Sequence, residues 1–154
     1  MAPNPAKPLV QAHLTLTESA ILGLLQAAVS GAESLGFAAT VAVTDTSGLL
    51  LGFLRMPGSF LVSSEMSKRK ARCAAGLGID AAETEEVLSH EDPRVRCGLL
   101  SSHNFTLIRG GLPLYWGDVL IGGIGVSGGS ESQDLACAKA AVAAVEGFAF
   151  GREC

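Results

Sequence analysis

The sequence predicts an α+β domain in which helices pack on an antiparallel sheet. Strand-like segments follow one another across short glycine-containing turns, whereas a parallel sheet would require strands that alternate with helices. Two S/T-x-x-E/Q spacings, typical of helix starts, precede apolar residues at helical intervals. With 154 residues, of which 48% are hydrophobic, the chain is long enough for one compact domain with a buried core.

Helix and strand signals occupy the first third of the chain. Thr15 and Glu18 have the spacing of a capping box, and apolar residues then recur at helical intervals until Gly36, which predicts the first helix. The segment ATVAVTD (39–45) alternates valines with smaller or polar residues, and LLLGFLR (49–55) is again extended and apolar after a TSG turn. These two segments are predicted to form antiparallel strands.

The middle of the chain is predicted to be helical and then irregular. A helical pattern covers residues 61–77, and glycines mark its end. A short acidic helix is predicted at 83–89, whereas 91–104 is polar and irregular, as is typical of a loop that covers a site. One face of the longer helix carries Met66, Lys70, Cys73, Ala74 and Leu77.

The last third of the chain predicts three strands and a closing helix. The strand segments are FTLIR (105–109), LPLYW (112–116) and VLIGGIGV (119–126), separated by spacings typical of hairpins. Ser130 and Gln133 form a second capping box, from which a long helix is predicted to continue to about Phe150. The strands therefore number five in all.

Composition limits the classes of function. The formal net charge is −4 and the only basic cluster is SKRKAR (67–72), so binding to nucleic acid is not expected. No run reaches about 18 apolar residues, and the N-terminus lacks the apolar core of a secretory signal. We therefore expect a cytoplasmic protein without membrane contacts, with a flexible arm at 1–13 and a single domain at 14–150. The four cysteines form no C-x-x-C pair, so no metal site is expected.

Three stretches carry a resemblance to a known family. They are LTLTESAILGLLQAAVSGAESLGFAATVAVTDTSGLLLGFLRMPGS (14–59), KRKARCAA (68–75) and GGLPLYWGDVLIGGIGVSGGSESQDLACAKAAV (110–142). Over roughly residues 14–148 the chain resembles the GlcG/HbpS family, whose members are similar to the C-terminal domain of PduO proteins. This resemblance implies a profilin-like fold, with a five-stranded antiparallel sheet flanked by helices, and assembly into dimers or larger rings. It also implies haem binding in some members and an accessory role near glycolate or propanediol metabolism in others.

The loop before the last helix has two interpretations. Gly128 and Gly129 precede a helix N-terminus, where free backbone N–H groups and the helix dipole favour a carboxylate or a phosphate. Alternatively, Ser130 and Gln133 already satisfy those donors, and the glycines only permit a tight turn. The string does not match a dinucleotide-binding or P-loop motif.

Lys70, Arg109 and Asp134 are candidate site residues. Lys70 is predicted to face the core edge or a cleft, or alternatively to extend to solvent, and the family resemblance implies that a basic residue here can meet a haem propionate. Arg109 departs from the family, which usually has an apolar residue or proline there. It indicates either an anionic ligand or an ion pair with Glu131 or Asp134. Asp134 is predicted to complement the helix dipole or to act as a general base.

Three histidines are available as axial ligands for haem iron: His13, His90 and His103. His103 is the best placed, because it precedes the FTLIR segment beside the predicted covering loop. His13 precedes the first helix, and His90 lies in a charged segment and is expected to be solvated. The resemblance implies no single shared axial residue.

Three functions follow as hypotheses. The first is the binding of haem or a related tetrapyrrole by His103 or His13, with Lys70, Gly128 and Gly129 at the site. The second is a cofactor-independent lyase, isomerase or cyclase, with Lys70 or His103 as general base, Asp134 as its partner and Arg109 holding a small anionic metabolite. The third is a non-catalytic accessory protein. A homo-oligomer is expected in each case, with an interface near Tyr115 and Trp116.

Overall fold

The computed structural model describes residues 7–152, which form one five-stranded antiparallel sheet with helices on both faces. The strand order is β2-β1-β4-β3-β5, and every neighbouring pair is antiparallel. The predicted α+β class and the five-stranded sheet are therefore confirmed. In chain order the elements are α1 (Glu18–Leu35), β1 (Thr40–Thr44), β2 (Leu50–Arg55), α2 (Leu61–Leu77), α3 (Ala81–Ser89), α4 (Pro93–Leu100), β3 (Gly111–Trp116), β4 (Val119–Ser127), α5 (Glu131–Ala143) and β5 (Phe148–Ala149).

The main core lies between the sheet and the helix pair α1 and α5. Alternate side chains of the three central strands point into it, and their apolar area is removed from water. The other face of the sheet is covered by α2. Because both faces are covered, every residue of β1 is buried, and its alternating pattern does not produce an exposed face. Core residues include Leu24, Leu25, Ala28, Val41, Val43, Leu112, Leu114, Ile124, Val126, Cys137 and Val142.

Helix α2 packs on glycines of β4 through small side chains. Side chains added at Gly123 and Gly125 would overlap the backbone of α2, at the carbonyl oxygens of Ala71 and Ser67 respectively. The buried residues of α2 are Ser63, Ser67, Lys70, Ala71, Ala74 and Ala75. The predicted face is therefore wrong apart from Lys70 and Ala74, since Leu77 is half exposed and Met66 is partly exposed. A helix that packs this close to a sheet must present small residues to it. The larger apolar residues of α2, Met66 and Leu77, therefore lie outside the contact with the sheet.

The last predicted boundaries also differ from the structure. Residues 105–109 form no strand, because the Thr106 hydroxyl accepts the Ile108 N–H in a local turn (3.1 Å). The fifth strand is β5, which pairs with the end of β3. It lies within the segment predicted as helix, because α5 ends at Ala143 and Gly147 adopts the left-handed region with φ +84°.

Two helix starts were placed incorrectly by the sequence patterns. Thr17, and not Thr15, caps α1, because its side chain accepts the Ala20 N–H. Part of the segment predicted as an irregular covering loop is α4, which begins with Pro93 at its first turn and with the Asp92 side chain accepting the Arg94 N–H. The second capping box and the bounds of α2 are confirmed.

Part of the predicted N-terminal arm (1–6) and Cys154 lie outside the described residues, while residues 7–17 contain no helix or strand. Among the helices that the structure describes, none is long and apolar enough to cross a lipid bilayer.

Replacement of Gly125 by alanine tests the packing of α2 on β4. Because the new Cβ would overlap the Ser67 carbonyl group, we expect Gly125→Ala to lower the free energy of unfolding by about 3 kcal/mol or more. Urea unfolding followed by circular dichroism measures this change.

Gly76→Ala is the matched control, because Gly76 lies in α2 with no atom within 4 Å of an added Cβ. The control is expected to raise stability by about 0.5–1 kcal/mol. Equal effects of the two substitutions would contradict the packing described.

Candidate functional site

A buried ion pair joins α2 to α5. The Lys70 ammonium donates to Asp134 Oδ2 (2.8 Å) and to the carbonyl oxygen of Val126 in β4 (2.9 Å). The two side chains are only 1% and 4% exposed. Lys70 thus neither lines an open cleft nor extends to solvent, and its charge is neutralised inside the protein. Sequence reasoning named both residues, but as acid/base partners and not as a structural pair.

Burial lowers the pKa of Lys70, because an ammonium group loses its hydration in the protein interior. The hydrogen bond and the charge of Asp134 oppose this effect, as does the charge of Glu131. A charge at this depth is stable only with such partners. The pair therefore couples the position of α2 to that of the first turn of α5.

The glycine-rich loop uses its backbone donors within the protein. The N–H of Gly129 donates to Asp134 Oδ1 (2.8 Å), and the N–H of Ser130 donates to the Gln133 side chain (2.9 Å). The Ser130 hydroxyl in turn accepts the N–H of Gln133, which completes the capping box. Of the two interpretations of this loop, the capping box is confirmed.

Gly110 closes over the ion pair and fixes the position of Arg109. A side chain at Gly110, which has φ +123°, would overlap Lys70 Nζ and Asp134. The backbone N–H of Arg109 donates to Glu131 (3.0 Å), whereas its guanidinium donates to Glu85 of α3 (3.5 Å). The expected side-chain ion pair with Glu131 or Asp134 is therefore wrong. The partner is Glu85, which folding brings close although it lies in a distant part of the sequence.

A groove of about 400 Å³ opens beside Arg109, and we call it the arginine groove. Its charged lining consists of Arg69, Arg96 and Arg109 with Glu85 and Glu131, so the arginines exceed the carboxylates by one. Its apolar lining consists of Met66, Leu100, Phe105, Leu107 and Ile108. The groove thus combines an apolar wall with guanidinium groups, a combination suited to an apolar ligand that carries carboxylates.

The histidines lie in three different places. His103 is exposed in the segment that leads from α4 to Phe105 of the arginine groove, and it lies near Glu65 of α2. The pKa of the Glu65 carboxyl is lowered mainly by Lys68, with a small effect of His103. His90 is exposed, as expected from the charged segment around it. It follows the last residue of α3 and contacts Glu86 of that helix (3.2 Å).

His13 borders a different surface, away from the arginines. It lines a depression of about 610 Å³, which shares Leu14 with a groove of about 450 Å³ that we call the tryptophan groove. The lining of the tryptophan groove includes Leu16, Trp116, Ile121 and Phe148, and Glu146 is the one charged residue among the described residues that line it. Neither candidate axial ligand lines either groove: His103 lies in the segment before Phe105 of the arginine groove, and His13 lies in the depression beside the tryptophan groove.

Two cysteines of the described chain are poorly suited to nucleophilic chemistry. Burial raises the pKa of the Cys73 thiol, and burial together with the charge of Asp134 raises the pKa of Cys137 to about 11. Since the thiolate is the reactive form, both remain protonated at neutral pH. Their interpretation as small apolar residues agrees with this state.

Sequence reasoning missed the groove residues Met66, Glu85 and Arg96. The available signal was charge: the acidic segment 83–89 and the following PRVR segment carry opposite charges within helical reach of each other. Glu85 accepts a hydrogen bond from Arg96 in the structure (3.3 Å). The pattern did not show that Arg109 would approach the same carboxylate.

Comparison with known proteins gives one family match. The sequence model of the family described as haem degrading protein HbpS-like matches residues 16–143. Among curated proteins, the corrinoid adenosyltransferase PduO of Citrobacter freundii is 35% identical over 125 residues, which are 79% of this chain and 36% of that protein. The chain thus spans about a third of the length of this relative.

Solved structures share the fold over nearly the whole chain. The crystal structure of a PduOC:haem complex superimposes with a TM-score of 0.80 at 30% identity, covering 90% of this chain and 100% of that one. A double mutant of Streptomyces reticuli HbpS gives a TM-score of 0.78 at 28% identity, covering 93% of this chain and 96% of that one. The expected fold and the resemblance to HbpS and PduO proteins are confirmed.

Removal of Lys70 tests the importance of the buried pair. Lys70→Met leaves the Asp134 carboxylate buried without its cation, so we expect the free energy of unfolding to fall by about 3–5 kcal/mol. The double variant Lys70→Met/Asp134→Asn should recover a large part of this loss, because asparagine carries no charge that would be left unpaired and its side-chain oxygen can still accept the Gly129 N–H. Urea unfolding of the single and double variants gives the coupling energy.

Lys68→Met is the matched control for Lys70→Met. Lys68 lies on the same helix but forms a surface ion pair with Glu65 (3.0 Å), so its loss is expected to cost less than about 1 kcal/mol. A loss for Lys70→Met no larger than that for Lys68→Met would show that the buried pair does not stabilise the fold.

Proposed function

The chain belongs to the haem degrading protein HbpS-like family, and from this premise we propose that it binds haem or a related tetrapyrrole in the arginine groove. The proposal rests on one observation: a single groove of about 400 Å³ has both an apolar wall and three arginines. A solved relative of the same fold is described as a haem complex, which supports this class of ligand.

The groove residues fit a tetrapyrrole by their chemistry. Phe105, Leu107 and Ile108 offer apolar surface to a macrocycle, while Arg96 and Arg109 offer guanidinium groups to its propionates. The tryptophan groove has the more extensive apolar lining, but its charged residue is Glu146, which would repel a propionate. Charge therefore favours the arginine groove for a ligand with two carboxylates.

We propose His103 as the axial ligand, with Met66 as a second donor within the groove lining. Imidazole nitrogen and thioether sulfur are both axial donors in haem proteins. His103 is exposed and precedes Phe105 of the apolar wall by two residues, so in this proposal its segment moves to bring the ring to the groove. Bound haem would supply redox chemistry at iron, and this chain would contribute the axial donor and the propionate contacts.

Lys70, Gly128 and Gly129 are proposed to act indirectly. The Lys70 side chain is 1% exposed and the Gly129 N–H is used by Asp134, so direct contact with a large ligand is not favoured. Instead, the pair of Lys70 and Asp134 supports Gly110, and Gly110 holds Arg109 at the groove. In this proposal the buried pair positions one of the propionate-binding arginines.

The catalytic and accessory hypotheses stay as predictions. For catalysis, the enclosed pair of Lys70 and Asp134 is less favourable than an open site, although Arg109 and His103 remain accessible for a small anionic metabolite. A homo-oligomer is supported by an exposed apolar face at β2 and the start of α2. This face contains Leu49, Leu51, Phe53, Phe60, Leu61 and Val62.

Light scattering tests the homo-oligomer. An exposed apolar face next to the edge strand β2 would be removed from water by association, so we expect a dimer or larger assembly at micromolar concentration. Phe53→Lys is expected to shift the assembly toward the monomer. The comparison variant is Trp116→Lys, which alters the interface that was predicted from the sequence. A monomeric wild-type protein would contradict the prediction.

Hemin titration tests the proposed ligand and its axial residue. We expect saturable one-to-one binding, followed by the Soret band, and at least about tenfold weaker binding for His103→Ala because a coordination bond is lost. His90→Ala is the matched control, since His90 is exposed and lies on a different segment. It should leave the affinity unchanged.

The same titration distinguishes the two grooves. Loss of binding in His13→Ala, with His103→Ala unaffected, would place the ligand at the tryptophan groove and contradict our choice of groove. Weak absorbance without saturation in the wild-type protein would overturn tetrapyrrole binding itself and favour the catalytic hypothesis.

A further inference from the structure

The pair of helices α3 and α4 is attached weakly to the rest of the domain. Helix α4 has no buried residue, and only Thr84 and Leu88 are buried in α3. These helices form one side of the arginine groove through Glu85, Arg96 and Leu100. Segments with so few buried contacts open more easily than the core does.

Glu85 links the two sides of the groove. Its Oε1 accepts a hydrogen bond from Arg96 of α4 (3.3 Å), and its Oε2 accepts one from Arg109 on the opposite side (3.5 Å). All three side chains are 38–43% exposed, so water and salt weaken both ion pairs. One carboxylate therefore holds two guanidinium groups at the mouth of the groove in a readily reversible contact.

We propose that Glu85 occupies the position of a ligand carboxylate and is displaced when the ligand binds. This inference rests on the proposed function, since it assigns the two arginines to the propionates of the same tetrapyrrole. In the ligand-free protein Glu85 keeps Arg96 and Arg109 together and holds α3 and α4 against the domain. A ligand with two carboxylates takes over both guanidinium groups and releases Glu85 to solvent.

The charges in the groove agree with this exchange. Glu131, the other groove carboxylate, accepts the backbone N–H of Arg109 and so holds the backbone beside the guanidinium. The Glu85 carboxylate accepts its hydrogen bonds from the side chains of Arg96 and Arg109, so it can leave without breaking a backbone hydrogen bond of Arg109. Arg69 adds a third guanidinium to the lining, so the groove becomes more positive when Glu85 moves away.

The test measures the affinities of the wild-type protein and of Glu85→Gln for two ligands, hemin and hemin dimethyl ester. Glutamine keeps the size of the side chain but removes the charge that competes with the ligand. We expect Glu85→Gln to bind hemin about two- to fivefold more tightly, with no change for hemin dimethyl ester, whose propionates are uncharged. Glu86→Gln is the matched control, since Glu86 is its neighbour in α3 but contacts exposed His90.

A second measurement needs no tetrapyrrole. Hydrogen exchange of the amides in 81–100 should be faster in Glu85→Gln than in Glu86→Gln, because the link between Glu85 and Arg109 is lost. Calorimetric titration with glutarate, a small dicarboxylate, should show tighter binding in Glu85→Gln.

The outcomes separate this inference from the proposed function. If no variant binds hemin but glutarate binding and exchange change as expected, tetrapyrrole binding fails and the carboxylate exchange stands. If hemin binds equally well to wild-type protein and Glu85→Gln, or if its dimethyl ester responds in the same way, the exchange is overturned while the proposed function survives. Unchanged glutarate binding and unchanged hydrogen exchange would also overturn the proposed displacement of Glu85.

Discussion

The close contact between helix α2 and strand β4 is the constraint on which the rest of the structure depends. Glycines at 123 and 125 let the helix backbone approach the strand directly, so that Ser67 and Ala71 lie against it. At this distance Lys70, which lies between Ser67 and Ala71, places its ammonium within hydrogen-bonding reach of the Val126 carbonyl oxygen and of Asp134. Larger residues in the strand would separate the two elements, and the buried cation would lose its partners.

This interior arrangement determines what the surface can offer to a ligand. Lys70 and Asp134 form a hydrogen bond with each other inside the protein. The N–H groups of Gly129 and Ser130 in the glycine-rich loop likewise donate to Asp134 and Gln133. Binding chemistry is therefore left to residues farther out, where Arg109, next to Gly110, lines a groove whose other side is formed by weakly buried helices. A rigid interior beside a loosely held wall is an arrangement that allows a large ligand to enter.

Much of the fold was predictable because local signals agreed with the tertiary structure. The bounds of α2, the pairing of β1 with β2 and the cap at Ser130 all follow from periodicity or turn residues. Several of the failures arose because nonlocal packing overrode the local pattern. Residues 105–109 have the apolar character of a strand, but β5 occupies the free edge of β3. The sequence drew attention to Lys70, but its burial depends on glycines in another element. The place of Glu85 depends on its contact with Arg109, 24 residues away in the chain.

The most direct test of the account is the position of iron in crystals of the protein soaked with hemin, located by its anomalous X-ray scattering. The account predicts an iron peak in the arginine groove, on the side of Met66 and His103, with the propionates at Arg96 and Arg109 and with Glu85 turned to solvent. An iron peak in the tryptophan groove beside Trp116, with Glu85 still bound to Arg109, would contradict it.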